Sequence, residues 1–152
     1  LFRSILYKIN YPLLFLEDIQ VLKKAMDNLF YKVSKRTDLA VNEIRLLLFL
    51  HQNKELDIAS EIVENLMISK SHVSYTVEKL KNKGYIIKVQ DEKDKKKFHL
   101  KLTEKADNIL KIIKSEQNKL NDISFKDITE NEKKQFIQTF NKILNNTKNL
   151  KN

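Results

Sequence analysis

The sequence predicts a mostly α protein with a small β-hairpin, an α+β fold in which a winged helix-turn-helix is flanked by long dimerisation helices. Three observations lead to this fold class. The 152 residues include one glycine and one proline, which favours helices over strained turns. Apolar residues recur at steps of three and four along most of the chain. The exception is 85–102, where two strand patterns flank a loop in which every residue is charged.

Helical periodicity accounts for most of the chain. Pro12 is tolerated in the first turn of the first helix, and the second helix is apolar most of the way round, so we expect it to be central. The helices are predicted at about 12–35, 41–52, 58–66, 70–83, 103–123 and 130–148.

Capping residues support several of these boundaries. Asp57, Ser69 and Thr103 are the predicted N-caps of three helices. Thr129 with Glu132 is a capping box for the last helix. Gly84 stands where a residue with positive φ is wanted after the fourth helix. The strands are then predicted at 85–90 and 97–102, the second with clear alternation of polar and apolar residues.

The terminal helices carry apolar stripes longer than a small winged domain can cover. We therefore expect the ends of the chain to pack on a second subunit, the alternative being an intramolecular bundle. This organisation predicts an N-terminal dimerisation helix over 1–35, a winged helix-turn-helix domain over 36–105 and C-terminal dimerisation helices over 106–152.

Positive charge is concentrated around the predicted hairpin. The formal net charge is +9, and eleven lysines against five acidic residues lie between Ser69 and Lys105. Such a surface favours a polyanionic partner. The less specific interpretation is a solvated lysine-rich face.

The helix at 70–83 has the composition of a DNA-reading helix. Val73, Val77 and Leu80 form its buried stripe, and the exposed positions near its N-terminus can reach base edges in a major groove. The candidate DNA-binding residues here are Ser69, Lys70, Ser71, His72, Ser74, Tyr75 and Lys79. Lys79, Lys81 and Lys83 are better placed for phosphates. The alternative is an ordinary polar helix face.

The charged loop between the strands is the candidate wing. A cationic tip on a stiff hairpin suits insertion into a minor groove. A carboxylate such as Asp94 can pair with a neighbouring cation and hold it in one orientation. The candidate wing residues are Lys93, Asp94, Lys95, Lys96 and Lys97. The alternative is a charged, solvated hairpin.

Three successive segments of the chain resemble the winged helix of MarR-type transcriptional regulators. They read SKSHVSYTVEKLKNKGYI, DEKDKK and LKLTEKA. The family's wing reads D-x-x-D-x-R before a strand ending in L-T-x-x-G, and its helix-turn-helix starts with a Glu-Leu-Ala-like sequence. The matching residues are Asp91, Asp94, Lys96, Leu102, Thr103, Ala106 and Glu61-Ile62-Val63. Lys96 replaces the usual arginine and loses its planar fork. Ala106 and Met67 stand where glycine is common.

The resemblance implies a sequence-specific regulator of transcription, usually a repressor, that binds a pseudo-palindromic operator in double-stranded DNA as a homodimer. It also implies that a small anionic or phenolic effector can bind between the dimerisation arms and the winged domain and weaken DNA binding. In this sequence the candidate effector residues are Tyr11, Phe15 and His51. An aromatic stripe at helical spacing is otherwise core.

Other chemistry finds little support in the sequence. There is no cysteine, the three histidines are dispersed, and a single glycine cannot make a phosphate-cradling loop. We therefore expect no catalytic residues, metal or cofactor, and no enzymatic activity. No apolar run reaches membrane-spanning length, and the N-terminus lacks a small-residue cleavage site, so we expect a cytoplasmic protein.

The main alternative function is a winged-helix module that binds another protein and not specific DNA, with the basic face directed at acidic partners. A membrane-surface role for the amphipathic ends is a more distant alternative.

Overall fold

The computed structural model describes the backbone of residues 11–148 and the side chains of residues 19–147. Within that range it contains six helices and one two-stranded hairpin, which confirms the predicted fold class. The elements are α1 (Tyr11–Lys35), α2 (Val41–Gln52), α3 (Ala59–Leu66), α4 (Lys70–Asn82), β1 (Ile86–Gln90), β2 (Phe98–Leu102), α5 (Lys105–Ser124) and α6 (Glu130–Lys148).

The core of the first compact unit, which extends to Asn118, is built around α2. Ile44, Leu46 and Leu47 on this helix are fully buried, as its apolar surface predicted. The helix packs against α1, α4 and β2. Each side chain of this size stabilises the fold by roughly 1.5–3 kcal/mol when it leaves water. This central helix therefore holds the helix-turn-helix and the hairpin in one body.

The hairpin is antiparallel, with Val89 opposite His99 and Gln90 opposite Phe98. One of its faces inserts Ile86 and Leu100 into the core. The loop that joins the strands begins at Asp91 and projects away from that anchored end. The second strand also pairs with the segment before α3, through a bridge between Ile58 and His99.

Local signals determine where α4 begins and ends. The Ser69 hydroxyl accepts a hydrogen bond from the backbone N–H of His72 (3.3 Å), so the predicted cap is confirmed. Gly84 has φ +76°, and its N–H donates to the Lys81 carbonyl (2.9 Å). The Tyr85 N–H donates to the Leu80 carbonyl (2.9 Å). These two bonds form a Schellman motif, which turns the chain into β1.

Two predicted caps are wrong, for the same physical reason. The cap of α3 is Ile58, whose N–H donates to the Glu61 carboxylate (3.2 Å), whereas Asp57 turns towards β2. The Thr103 hydroxyl donates to the carbonyl of Gly84 (2.7 Å), and α5 begins at Lys105. In both cases the side chain forms a hydrogen bond with a distant segment of the chain and so does not cap the adjacent helix.

The second compact unit starts at Lys119 and contains the end of α5 and all of α6. Thr129 and Glu132 form the predicted capping box, with the Thr129 N–H donating to Glu132 Oε2 (2.7 Å) and the Glu132 N–H donating to the Thr129 hydroxyl (3.3 Å). Phe136 and Phe140 stack on α6 with ring centroids 5.8 Å apart. The apolar stripe of α6 is exposed within this unit.

Candidate nucleic-acid interface

The first two turns of α4 present the predicted polar side chains to solvent. Val73, Val77 and Leu80 are buried against the core, together with Thr76, whose hydroxyl donates to the His72 carbonyl (2.8 Å). The exposed residues are Ser69, Lys70, Ser71, His72, Ser74, Tyr75 and Lys79. All seven candidates from this helix therefore lie on its accessible side.

Some of these side chains are oriented by neighbours. The Lys79 ammonium lies over the Tyr75 ring, 5.3 Å from its centroid. Nδ2 of Asn42 on α2 donates to Nε2 of His72 (2.7 Å). Since an amide nitrogen is only a donor, Nε2 must be the acceptor, and the remaining N–H of a neutral ring is then on Nδ1. Asn42 was not among the residues predicted from sequence, because no local pattern connects it to α4.

The ammonium groups of the lysines at the end of α4 form ion pairs with carboxylates and a hydrogen bond with a backbone carbonyl. Lys83 Nζ donates to the Asp38 carbonyl (2.7 Å) and to Glu43 (3.0 Å). Glu43 is buried, so this pair ties the end of α4 to the start of α2. Lys81 pairs with Glu78 (3.3 Å), which also accepts from Lys88. Lys83 is therefore held by a buried carboxylate, and its contact with phosphate stays a prediction.

The acidic residues of the wing shape its backbone. Asp91 Oδ1 accepts from the N–H groups of Lys93 (2.8 Å) and Asp94 (2.7 Å). Asp94 Oδ1 accepts from the N–H of Lys96 (3.0 Å), and the Lys97 N–H donates to the Asp94 carbonyl (2.9 Å). The expected pairing of Asp94 with a neighbouring ammonium is thus replaced by turns in which carboxylates accept backbone N–H groups. The four lysines of the loop remain exposed.

The wing and α4 border a common cavity of about 270 Å³. Ser74 and Val77 line it from α4, Lys96 and Lys97 line it from the wing, and Ser60 lines it from α3. Polar and cationic groups from three elements therefore converge at the corner between helix and wing. Ser60 was not predicted as a site residue, because nothing in its own helix pattern distinguishes it.

A second feature that the sequence did not predict lies at the base of the wing. The His99 ring is half-buried and contacts two carboxylates, Asp57 Oδ1 (2.5 Å) and Asp91 Oδ2 (2.9 Å). Lys101 also donates to Asp57. The alternation of polar and apolar residues along β2 puts His99 on the polar side of the strand, yet its ring is only partly exposed. Its partners are 42 and 8 residues away, so periodicity cannot identify them.

Hydrogen bonding from His99 and from the Asp94 and Lys93 amides lowers the pKa of Asp91 from 3.8 to about 2. Burial raises the pKa of Asp57, but hydrogen bonds from Lys101 and His99 outweigh it and leave that pKa below 3.8. The same bonds, from Asp91 and then Asp57, raise the pKa of His99 above 6.5.

The candidate effector residues are not brought together in the part of the chain that the structure describes. The side chains of Tyr11 and Phe15 lie outside that part. His51 is exposed and lines a cavity of about 230 Å³ with Lys54, Asp57 and Lys101. A different cavity, of about 270 Å³, lies between α1, α2 and α3; its lining residues include Phe30, Asn42, Arg45, Leu48, Phe49 and Asn65.

Other kinds of site are not evident in the described residues. Among residues 11–148, no group of three or more histidine and acidic side chains is arranged to hold a metal ion. No helix in the same range is long and apolar enough to cross a membrane.

Comparisons with known proteins agree with this geometry. A family model described as a winged helix DNA-binding domain matches residues 33–106. The chain is 25% identical over 92 residues to the HTH-type transcriptional regulator BilQ of Clostridioides difficile, a match that covers 60% of this chain and 62% of that relative. The chain thus matches less than two thirds of the relative's length.

Solved structures share the fold over a longer range. One is a protein of Listeria monocytogenes described as a MarR family transcriptional regulator, in complex with 26mer DNA. It is 28% identical, with a TM-score of 0.75 and coverage of 86% of this chain and 87% of that chain. Another is the organohalide-sensing transcriptional regulator RdhR in its 2,4-dichlorophenol-bound form. It is 22% identical, with a TM-score of 0.68 and coverage of 94% and 85%.

Proposed function

We propose, on the premise that the chain is a winged helix-turn-helix protein of the MarR type, that it binds a pseudo-palindromic operator in double-stranded DNA as a homodimer and represses transcription. The observation that carries the proposal is the common cavity, where Ser74 of α4 meets Lys96 and Lys97 of the wing. A duplex placed against this corner would meet hydroxyl, imidazole and phenol groups at base edges and ammonium groups at phosphates.

The division of roles follows from the contacts of each side chain. Ser71, Ser74 and Tyr75 are exposed near the start of α4, and this is the part of a recognition helix that reaches base edges. Lys70 and the wing lysines are exposed cations that suit phosphates or a narrow minor groove. Asp91 and Asp94 contribute by fixing the wing backbone, without contacting the polyanion.

Dimerisation is supported by exposed apolar surface on the terminal helices. Val21 and Leu22 on α1 are 67% and 60% exposed, and Phe136, Ile137 and Ile143 on α6 are each more than half exposed. Contiguous apolar surface on a helix normally marks an interaction site. A second copy of the chain would cover it and would present two copies of α4 to a two-fold symmetric operator.

The proposal includes release from DNA by a small anionic or phenolic effector. The cavity between α1, α2 and α3 supports this because aromatic side chains line it beside Arg45, whose guanidinium pairs with Asp27 and lies over the Phe30 ring. Its wall also includes Asn42, the residue that holds His72 on α4. A ligand that bonds to Asn42 would free the His72 ring and change the surface that faces DNA.

A salt titration of DNA binding tests the interface. Lys96→Ala with Lys97→Ala should weaken binding to a selected operator and lower the slope of log affinity against log salt, by about one for each phosphate that the variant no longer neutralises. Lys111→Ala is the matched control, because Lys111 is exposed on α5 and does not line the common cavity.

An unchanged affinity and slope in the double wing variant would contradict the proposed interface. Weak, salt-insensitive binding by the unaltered protein would instead favour the alternative of a protein-binding winged helix. The effector is tested separately, by adding 2,4-dichlorophenol or benzoate to the operator complex of the unaltered protein and of Asn42→Ala. Release of the unaltered protein only would support the role of Asn42, and release of neither would contradict the effector proposal.

A further inference from the structure

His99 connects the wing loop to the start of the helix-turn-helix. Its Nδ1–H donates to Asp57, which directly precedes the Ile58 cap of α3, and its Nε2–H donates to Asp91, the first residue of the loop. The Leu100 N–H donates to the Asp57 carbonyl (2.8 Å), so a backbone hydrogen bond also joins β2 to the segment before α3. The imidazole therefore bridges the wing loop and the segment before α3.

Both bonds require the doubly protonated ring. Carboxylates at neutral pH only accept hydrogen bonds, and a neutral imidazole has one N–H to donate. Losing the second proton would leave one ring nitrogen facing a carboxylate with no hydrogen between them. Either Asp57 or Asp91 would then lose its bond to His99.

Asp91 is the residue through which this loss would reach the DNA-facing lysines. Its Oδ1 accepts from the N–H groups of Lys93 and Asp94, while its Oδ2 accepts from His99. Asp94 in turn accepts from the N–H of Lys96. The loop that carries Lys96 thus depends on a carboxylate whose other oxygen is held by the ring.

We propose that His99 is a positioning residue for DNA binding: its imidazolium form holds the wing loop against the start of α3, and loss of a ring proton releases the loop. This inference rests on the proposed function, because the loop matters only if the wing contacts DNA. The pH at which His99 loses its proton depends on the charged and titratable groups that surround the ring. Asp57, Asp91 and Lys101 contact each other or His99, and His51 and Lys54 line the cavity beside Asp57.

The test is the pH dependence of operator affinity at constant ionic strength, between pH 6 and pH 9. The unaltered protein should lose affinity as His99 deprotonates, by about fivefold or more. His99→Gln should bind weakly already at pH 6, and its affinity should not show the fall with pH that is due to deprotonation of His99. His99→Arg keeps a permanent cation with several donors, so it should bind well across the range, again without that fall.

The profiles of the unaltered protein and of the His99 variants must be compared, because only the component that His99 substitution removes belongs to this ring. A His99→Gln variant with the affinity and profile of the unaltered protein would overturn the inference while leaving the proposed function intact. An unaltered protein that binds no operator at any pH would overturn both.

A second measurement does not depend on whether the variants fold. The His99 ring can be titrated by NMR in the unaltered protein, free and bound to operator. If DNA binding requires the imidazolium form, linkage demands that the titration midpoint of His99 be higher in the complex. An unchanged midpoint would overturn the inference.

Discussion

Among single residues, Met67 has a left-handed backbone conformation, which is unfavourable for a residue with a Cβ atom. It forms the turn between α3 and α4 with φ 53° and ψ 39°, and the residue is 91% exposed. The left-handed region costs a residue with a Cβ roughly 1–2 kcal/mol, and an exposed methionine recovers little of this by packing. The position is one where MarR-type proteins commonly have glycine, which takes up this conformation without the steric cost.

Met67→Gly should therefore stabilise the protein. The gain should be about 1 kcal/mol, since relief of strain is partly offset by the greater backbone freedom of glycine when unfolded. Urea unfolding at fixed protein concentration measures it. Asp127→Gly is the comparison, because Asp127 also has positive φ (60°) but aspartate tolerates that region better, so its gain should be smaller. A loss of stability in Met67→Gly would show that the turn is not strained.

At the scale of elements, prediction succeeded where the signal is local. Ser69, Gly84 and the Thr129–Glu132 pair each act on backbone groups within a few residues, and all three were confirmed. Asp57 and Thr103 have equally good capping chemistry, but Lys101 with His99 and the Gly84 carbonyl compete for them. The exposed face of α4 was predictable from periodicity. The contacts of Asn42 and His99 were not, because their partners meet only after folding.

In the wing loop, the Asp91 carboxylate accepts hydrogen bonds from two backbone amides and from His99. Its bonds to His99 and to two amides hold the pKa of Asp91 at about 2, against an ordinary value of 3.8. A lowered pKa means that the contribution of Asp91 is fully present above the ordinary value and is lost as pH falls through about 2. The loop should therefore keep its structure in mild acid.

Amide hydrogen exchange tests this role. Asp91→Ala should speed exchange of the Lys93 and Asp94 amides at pH 5, because both lose their acceptor. In the unaltered protein, the protection of these amides should persist at pH 4 and disappear as pH falls towards 2. Glu92→Ala removes a carboxylate from the same loop but no acceptor of these amides, and should leave their exchange unchanged. Equal protection in Asp91→Ala would contradict the proposed role.

At the scale of the whole molecule, the exposed apolar residues of the terminal helices support the proposed dimer. A monomer would leave the apolar stripe of α6 in water, and such stripes are normally covered by a partner. If folding and association are linked, the unfolding midpoint should rise with protein concentration.

Ile137→Asp should disrupt the proposed dimer. The charge would enter the predicted interface, so sedimentation equilibrium should report a monomer or an association at least tenfold weaker, since about 1.4 kcal/mol corresponds to tenfold. Gln138→Asp introduces the same charge on the other side of α6 and should leave the dimer intact. A concentration-independent monomer for the unaltered protein would contradict dimerisation, and equal association of the two variants would place the interface elsewhere.

Two copies of α4 and two wings are proposed to read double-stranded DNA together, and the DNA-binding roles proposed for α4, the wing and His99 depend on this. Selection of binding sequences from random duplex DNA by the unaltered protein tests it most directly. The expected product is a pseudo-palindrome whose half-sites lie about one helical turn apart, with A·T-rich positions beneath the wings. A selected pool with no enriched sequence, or one bound no more tightly than the starting pool, would contradict it.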